Sequence, residues 1–314
     1  MNIGSIFDLS LIYATIRAST PILFAALAAT ITEQGNITNI GTEGIMLTSA
    51  FAAVLVSFMT GSWILAILFA ILVGILTSLI MAFAHIKYNA DITAIGIAIN
   101  TFALAITKFG IQQFFGTTGS FTSPQIIGIP RIHIPFLENM GVLNQVFNNW
   151  NLMEILGIFS VFGMYFLLYR TVWGLRLRSV GRFPLAAETA GINVNRMKYS
   201  VMVISGVFGG LAGAHLSIGY SQMFIENMTN GRGFMGVAAM FFGGANPVFA
   251  WIGSLLFGFV DSVGGRLQAY GWPSQFVLML PYIITVAVLA FSMWRQRSKD
   301  AAEKSPLLGT KNPM

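Results

Sequence analysis

The chain has 314 residues, 55% apolar and 9% charged, with a mean hydropathy of +0.75. Soluble domains carry about 25% charged residues, so this composition excludes a soluble globular protein and indicates an integral membrane protein. The net charge of +6 does not point to nucleic acid, because Lys and Arg gather in short loops between apolar runs and in the tail after Trp294, where they set membrane orientation.

Cysteine is absent, which removes disulfides and thiolate metal sites. No removable signal peptide is expected. Arg17 is the first basic residue, and no small-residue cleavage site follows a short apolar run.

The apolar runs predict an all-α, polytopic helical bundle of about nine spans, at 10–32, 37–59, 62–86, 91–114, 150–169, 198–219, 233–246, 248–267 and 275–294. Strands have no evident part. Together these runs make one transmembrane domain over 1–294, followed by a flexible cytoplasmic tail at 295–314. With the N-terminus outside, the inner segments hold Lys87, the six basic residues between Tyr169 and Tyr199, and Arg295, Arg297, Lys299, Lys304 and Lys311. The outer segments hold Lys108, Arg131, Arg232 and Arg266, so twelve against four favours N-out, C-in.

Residues 31–46, ITEQGNITNIGTEGIM, place Glu33, Gln34, Asn36, Asn39 and Glu43 among apolar neighbours, and Gly35, Gly41 and Gly44 loosen the backbone. A carboxylate at the bilayer centre is expensive, so Glu33 and Glu43 should face the bundle interior, a partner helix or the inner surface. Two readings stand side by side: a broken helix lining a path, or an inner-surface turn capped by polar side chains. Asn100, Asp261 and Gln268 are further polar residues in apolar runs, each an interhelical bonding partner or a ligand contact.

The segment 115–149 carries Gly116, Gly119, Pro124, Gly128, Pro130, Pro135 and Gly141, with Ile126, Ile127, Ile129 and Ile134 between them. An ordered external cap is expected. The polar insert at 170–198 surrounds a short helical pattern, Pro184 to Gly191, too brief to cross and suited to docking a cytoplasmic partner. In the sixth span Gly206, Gly209, Gly210 and Gly213 make overlapping small-xxx-small pairs that allow close helix approach.

Gly231, Gly233 and Gly236 match G-x-G-x-x-G, yet no strand precedes them, so dinucleotide binding is rejected. They fit better as the opening of a membrane half-helix with amides facing an aqueous cavity. The span at 233–246, about 21 Å long at 1.5 Å per residue, is too short to cross and should be broken or re-entrant.

No phosphate loop of the G-x-x-x-x-G-K-[ST] type is present, so any ATP must bind another chain. His85, His133 and His215 are scattered without carboxylates at ligand spacing, and no nucleophile triad is visible, so neither catalysis nor a metal site is expected. Asn36-Ile37-Thr38 and Asn227-Met228-Thr229 match the glycosylation pattern but carry no weight. Phe114, Phe115, Phe241 and Phe242 could stack on a planar ligand, although core or lipid contact explains most Phe residues in so apolar a chain.

Asn39-Ile40-Gly41-Thr42-Glu43-Gly44-Ile45-Met46-Leu47 resembles the N-I-G-x-E-G-x-M-L stretch of bacterial ABC importer permeases serving branched-chain amino acids, ribose-type sugars and purine nucleosides, nearest the nucleoside and simple-sugar branch. Further matches are Trp173-Gly174-Leu175-Arg176, Ala186-Ala187-Glu188 with Ala190-Gly191-Ile192, Gly231-Arg232-Gly233-Phe234, and Pro281-Tyr282. The resemblance spans nearly the whole chain.

It implies a multi-pass permease of the bacterial inner membrane that moves a small molecule inward by alternating access. Its expected partners are a second related permease, cytoplasmic ATPases that bind ATP and Mg, and an extracellular or periplasmic solute-binding protein. The helix around Pro184 looks like the coupling helix, with Arg178 and Arg182 as exposed charge, Leu185, Ala186 and Ala187 as a small apolar face, and Glu188 and Gly191 completing it. Where the family more often has an acidic residue and Asn before the Pro, this chain reads Val180-Gly181-Arg182-Phe183-Pro184.

Asn36, Asn39, Glu43, Asn100 and Phe242 are the expected pathway residues. Nucleosides are the favoured substrate, with sugars or branched-chain amino acids as alternatives. An ion-coupled secondary transporter is the rival class, and a scaffold subunit without its own path a third.

Overall fold

The structure is a computed structural model that describes residues 8–133, 135, 148 and 150–273, together with isolated positions between 275 and 290. The expected spans lie on α1 (Ser10–Glu33), α2 (Thr42–Thr60), α3 (Trp63–Tyr88), α4 (Ile92–Phe115), α5 (Leu152–Arg170), α8 (Val194–Ala214) and α10 (Pro247–Ala269). Helix α8 runs on through a π-helical turn, His215–Ser221. These make seven helices among the described residues long and apolar enough to cross a membrane. Between α5 and α8 lie α6 (Val172–Arg182) and α7 (Pro184–Thr189), and α9 (Arg232–Phe242) precedes α10. The expected ninth span, 275–294, falls largely outside the described residues.

Helix α9 has 11 residues, about 16 Å at 1.5 Å per residue, so it ends halfway through a hydrocarbon core about 30 Å thick. The short apolar run is therefore a half-helix rather than a span. Gly243 and a left-handed Ala245 turn the chain, and Asn246 caps α10 by accepting from Val248 N–H at 3.0 Å.

Glycine holds the bundle together at α8. A Cβ on Gly206 or Gly210 would come within 2.6 Å of the Cα of Ile75 or Ile71 on α3. One on Gly209 would strike Ile45 of α2 at 2.6 Å. The two small-residue pairs thus serve two different neighbours, α3 and α2. Lipid offers helices no hydrophobic drive to associate, so such close van der Waals approach is a main source of bundle stability.

At one end of the bundle lies a cap. Strands do occur there, contrary to expectation: β1 (Ser120–Phe121) pairs with β4 (Phe224–Ile225), and β2 (Arg131–Ile132) with β3 (Trp150–Asn151), both antiparallel. Each is only two residues long, too short for a period-2 pattern to show in sequence. Phe115 stacks on Phe121 at 3.8 Å, and Phe58 meets both edge-on, which fastens the cap to α2 and α4. Ser57 Oγ accepts from Ile127 N–H and donates to its C=O, each at 2.9 Å. Where a cap was expected, Ile126 and Ile129 are buried in the core beside α2; Ile134 and Gly141 lie outside the described residues.

Candidate functional site

The segment between α1 and α2 meets α4, α6, α8 and the turn between α9 and α10. At its first residues, Gln34 donates from Nε2 to Ala245 C=O at 2.8 Å, tying the end of α1 to the turn between α9 and α10. A Cβ on Gly181 of α6 would collide with Gln34 C=O, and one on Gly35 would meet Leu177 at 3.2 Å, so α6 lies directly on this turn. Further on, Asn39 donates to Ser205 Oγ of α8 at 3.0 Å. Asn100 of α4 accepts from Gly44 N–H at 2.8 Å and donates to Ile40 C=O at 3.1 Å.

Glu43 completes the joint. Its side chain, in the first turn of α2, accepts from Gly231 N–H at 2.8 Å and from Gly233 N–H at 2.6 Å. The positive ends of two helices, α2 and α9, therefore converge on one carboxylate. The residue is 7% exposed. Insertion scales put a charge at mid-bilayer at roughly 2.5–3.5 kcal/mol, while two hydrogen bonds to a charged group contribute about 1.5–3 kcal/mol each, so the clamp offsets the burial. Gly233 must be glycine, since a Cβ there would sit 2.6 Å from both Glu43 Cα and Oε2.

Helix lengths place this joint near mid-membrane. Asn100 lies eight residues inside the Ile92 end of α4, about 12 Å at 1.5 Å per residue. Asp261 lies eight residues inside the opposite end, Ala269 of α10, again about 12 Å. Asp261 pairs with Arg232 at 2.8 Å, which removes Arg232 from the outer loops where the charge count had set it.

Above the clamp, residues 222–231 descend from the cap to α9 without helix. Asn227, Asn230 and Gly231 take φ of 58°, 42° and 82°. Non-helical backbone at membrane depth is tolerated only inside protein or along a water-filled cavity. A cavity of about 310 Å³ opens there, lined by Glu43, Asn100, Leu104, Asn227, Asn230 and Phe234 among others. A larger groove of about 850 Å³ runs between α1 and α10, but Leu9, Ile12, Ile16, Leu255 and Phe259 make it almost wholly apolar. Of these two, the smaller is the one that brings polar groups together.

At the end opposite the cap, α7 stands out from the bundle. Phe183 and Leu185 are 70% and 78% exposed, while Ala187 is 3% exposed and packs with Leu177 and Val180 of α6. Pro184 opens the helix, and Gly191, at φ 80°, closes it.

Residues 11–289 match the family described as branched-chain amino acid transport system / permease component. The chain belongs to this permease family. Over 301 residues it is 36% identical to the guanosine ABC transporter permease protein NupQ of Bacillus subtilis (strain 168), covering 92% of this chain and 93% of NupQ. Over 284 residues it is 37% identical to the nucleoside ABC transporter permease protein NupC of Lactococcus lactis subsp. cremoris (strain MG1363), covering 87% and 88%. A second B. subtilis protein, the guanosine ABC transporter permease protein NupP, is 26% identical over 91% of this chain. Among solved structures, a metal-chelate type ABC transporter in an inward-facing conformation matches with a TM-score of 0.51 over 90% of this chain at 14% identity, a likeness of fold alone.

Of the expected pathway residues, the permease brings Glu43 and Asn100 together at the cavity; Asn36, Asn39 and Phe242 do not line it. Asn36 is exposed in the turn beside α6 with φ 58°. Asn39 is wholly buried against Ser205, and Phe242 is the exposed last residue of α9. Within 31–46, Glu33, bonded by Thr38 at 2.9 Å, belongs to the turn, and Glu43 is buried in the bundle interior.

Among the expected coupling residues, Arg182, Leu185, Ala186, Glu188 and Gly191 are partly or fully exposed. Ala187 points inward, packed with α6, and so is not part of the exposed face of α7. Arg178 is half-buried, its guanidinium 5.0 Å from the Tyr169 ring, because that aromatic face competes for the cation. Phe183 supplies apolar surface that the sequence reading left out. Asn227, Asn230 and Phe234 at the cavity were missed as well; the sequence signals near them were a discounted glycosylation pattern and the Gly231-Arg232-Gly233-Phe234 match.

Proposed function

We propose that this permease is the membrane subunit of an ATP-driven importer that carries nucleosides inward across the bacterial cell membrane. It pairs with a second, related permease, receives substrate at the cap from a solute-binding protein, and seats α7 in cytoplasmic ATPases that bind ATP with Mg. The cap then lies outside and α7 inside, in keeping with the N-out, C-in charge distribution. Likeness over about nine-tenths of both chains to permeases named for guanosine and for nucleosides carries the reading. The presence of two such permeases in B. subtilis supports the pairing.

The geometry suggests how ATP drives the path. Force on Leu185 and Phe183 passes through Ala187 into α6, whose Gly181 rests on Gln34. Gln34 is bonded to the turn after α9, and nine residues further on Glu43 is bonded to its start. A shift of α6 therefore tilts the half-helix as a unit, which is the broken-helix route to alternating access.

A bacterium that cannot make purines and lacks nucleoside uptake tests this reading. Given the permease with its paired subunit, ATPases and binding protein, it should grow on guanosine and stop when the ATP-binding Lys of the ATPase is replaced. Growth with the disabled ATPase would sink ATP coupling, and failure to grow on any nucleoside would sink the substrate class.

A further inference from the structure

We propose that the mid-membrane cavity is a transit site for the nucleoside and that Glu43 makes it selective for neutral solutes by occupying the anion-binding end of α9. This rests on the nucleoside reading above. A half-helix that begins at mid-membrane is the standard means of holding a carboxylate or phosphate, because its free amides and dipole favour negative charge. Here both amides are already taken: Gly231 and Gly233 donate to Glu43 at 2.8 and 2.6 Å.

Of the cations near the opening, Arg232 is directed away and paired with Asp261 at 2.8 Å, and Lys108, one turn beyond Leu104, is paired with Glu226 at 3.9 Å. Among the described lining residues, Glu43 is thus the one that carries charge, and it is negative. A phosphorylated solute would meet repulsion where the half-helix alone would have attracted it. What the cavity offers instead suits an uncharged nucleoside. The Asn227 and Asn230 amides are exposed and make no side-chain hydrogen bond among the described residues, and Asn100, held by Gly44 and Ile40, keeps one donor and one acceptor position for a third contact. Phe234 presents an exposed ring on the rim, a stacking face for a base. The volume, about 310 Å³, lies at the small end of ligand sites, about 300–1,000 Å³.

The absence of cysteine provides a clean test. Leu104→Cys or Phe234→Cys, each on an exposed helical position of the lining, is introduced into the permease within its complete complex. Alkylation by a water-soluble thiol reagent is then followed in nanodiscs without the binding protein, so that no upstream subunit preselects the solute. Labelling is expected, and guanosine at ten times its Kd should slow it about tenfold by mass action, whereas guanosine 5′-monophosphate should leave it unchanged. In a Glu43→Ala background the monophosphate should begin to protect. Should that variant not assemble, Glu43→Gln, which keeps the shape and loses the charge, serves in its place.

Lack of labelling, equal protection by the two solutes with Glu43 intact, or no protection by the monophosphate after the charge is removed overturns the proposal. Guanosine uptake by the wild-type complex is read in parallel. Uptake without protection at the introduced thiol overturns the transit site alone, and absence of uptake overturns the nucleoside reading on which it stands.

Discussion

Glu43 and Gly233 are bonded across 190 residues of sequence, carboxylate to amide at 2.6 Å, with no room for even a methyl group between them. Two motifs, Asn39–Leu47 and Gly231–Phe234, are thereby the two halves of one joint. Replacing Gly233 with Ala should separate them. Overpacking of this kind costs about 1–3 kcal/mol, so thermal unfolding in detergent should shift downward and uptake should fall at normal expression. An unshifted melting curve together with full uptake would mean that the joint is looser than described.

Leu185 and Ala187 should behave oppositely although they are two residues apart. Leu185→Asp alters only exposed surface, so the permease should insert and fold normally yet lose ATP-driven uptake. Ala187→Asp buries a charge against Leu177 and Val180 and should reduce folded protein itself. Size-exclusion chromatography and uptake, read on both variants, separate the two roles; normal uptake with Leu185→Asp would remove α7 from the coupling path.

The Arg232 and Asp261 pair should be worth more whole than halved. Removing one partner of a largely buried ion pair costs about 3–5 kcal/mol, less where water reaches it, whereas an apolar pair of similar size is often neutral. Asp261→Asn should therefore lower the melting temperature, and the double variant Arg232→Met with Asp261→Leu should recover most of it. A double variant less stable than the single one would contradict this account.

Close packing of α8 on α3 predicts that Gly210→Leu abolishes folding. A Cβ at that position already reaches within 2.6 Å of Ile71 Cα, and backbone cannot yield as a flexible side chain can. Yield of detergent-soluble, monodisperse protein reads the effect; an ordinary yield would show that the helices can part without loss.

Most helices were legible because an apolar run bounded by Gly, Pro or Asn states its own length. For α1, α3, α4 and α5 the expected and observed ends differ by no more than two residues. Helix α2 starts five residues later than expected, since Asn39 and Gly41 hold a non-helical approach to the joint. The half-helix was visible in its length alone. Its partner was not, because a single sequence carries no signal linking Glu43 to amides 188 and 190 positions away. Asn227 and Asn230 were missed for a different reason. They sit in non-helical chain at membrane depth, where no period marks a face. In α7, with six residues and fewer than two turns, periodicity could not show that Ala187 faces inward.

The most direct test of the central claim is uptake of labelled guanosine into proteoliposomes holding the permease with its paired subunit, ATPases and binding protein, with ribose and leucine as competitors. Saturable uptake that requires ATP, is blocked by nucleosides alone and is lost with Leu185→Asp is the predicted result. Uptake that proceeds without ATP, or that ribose or leucine displaces, would contradict it.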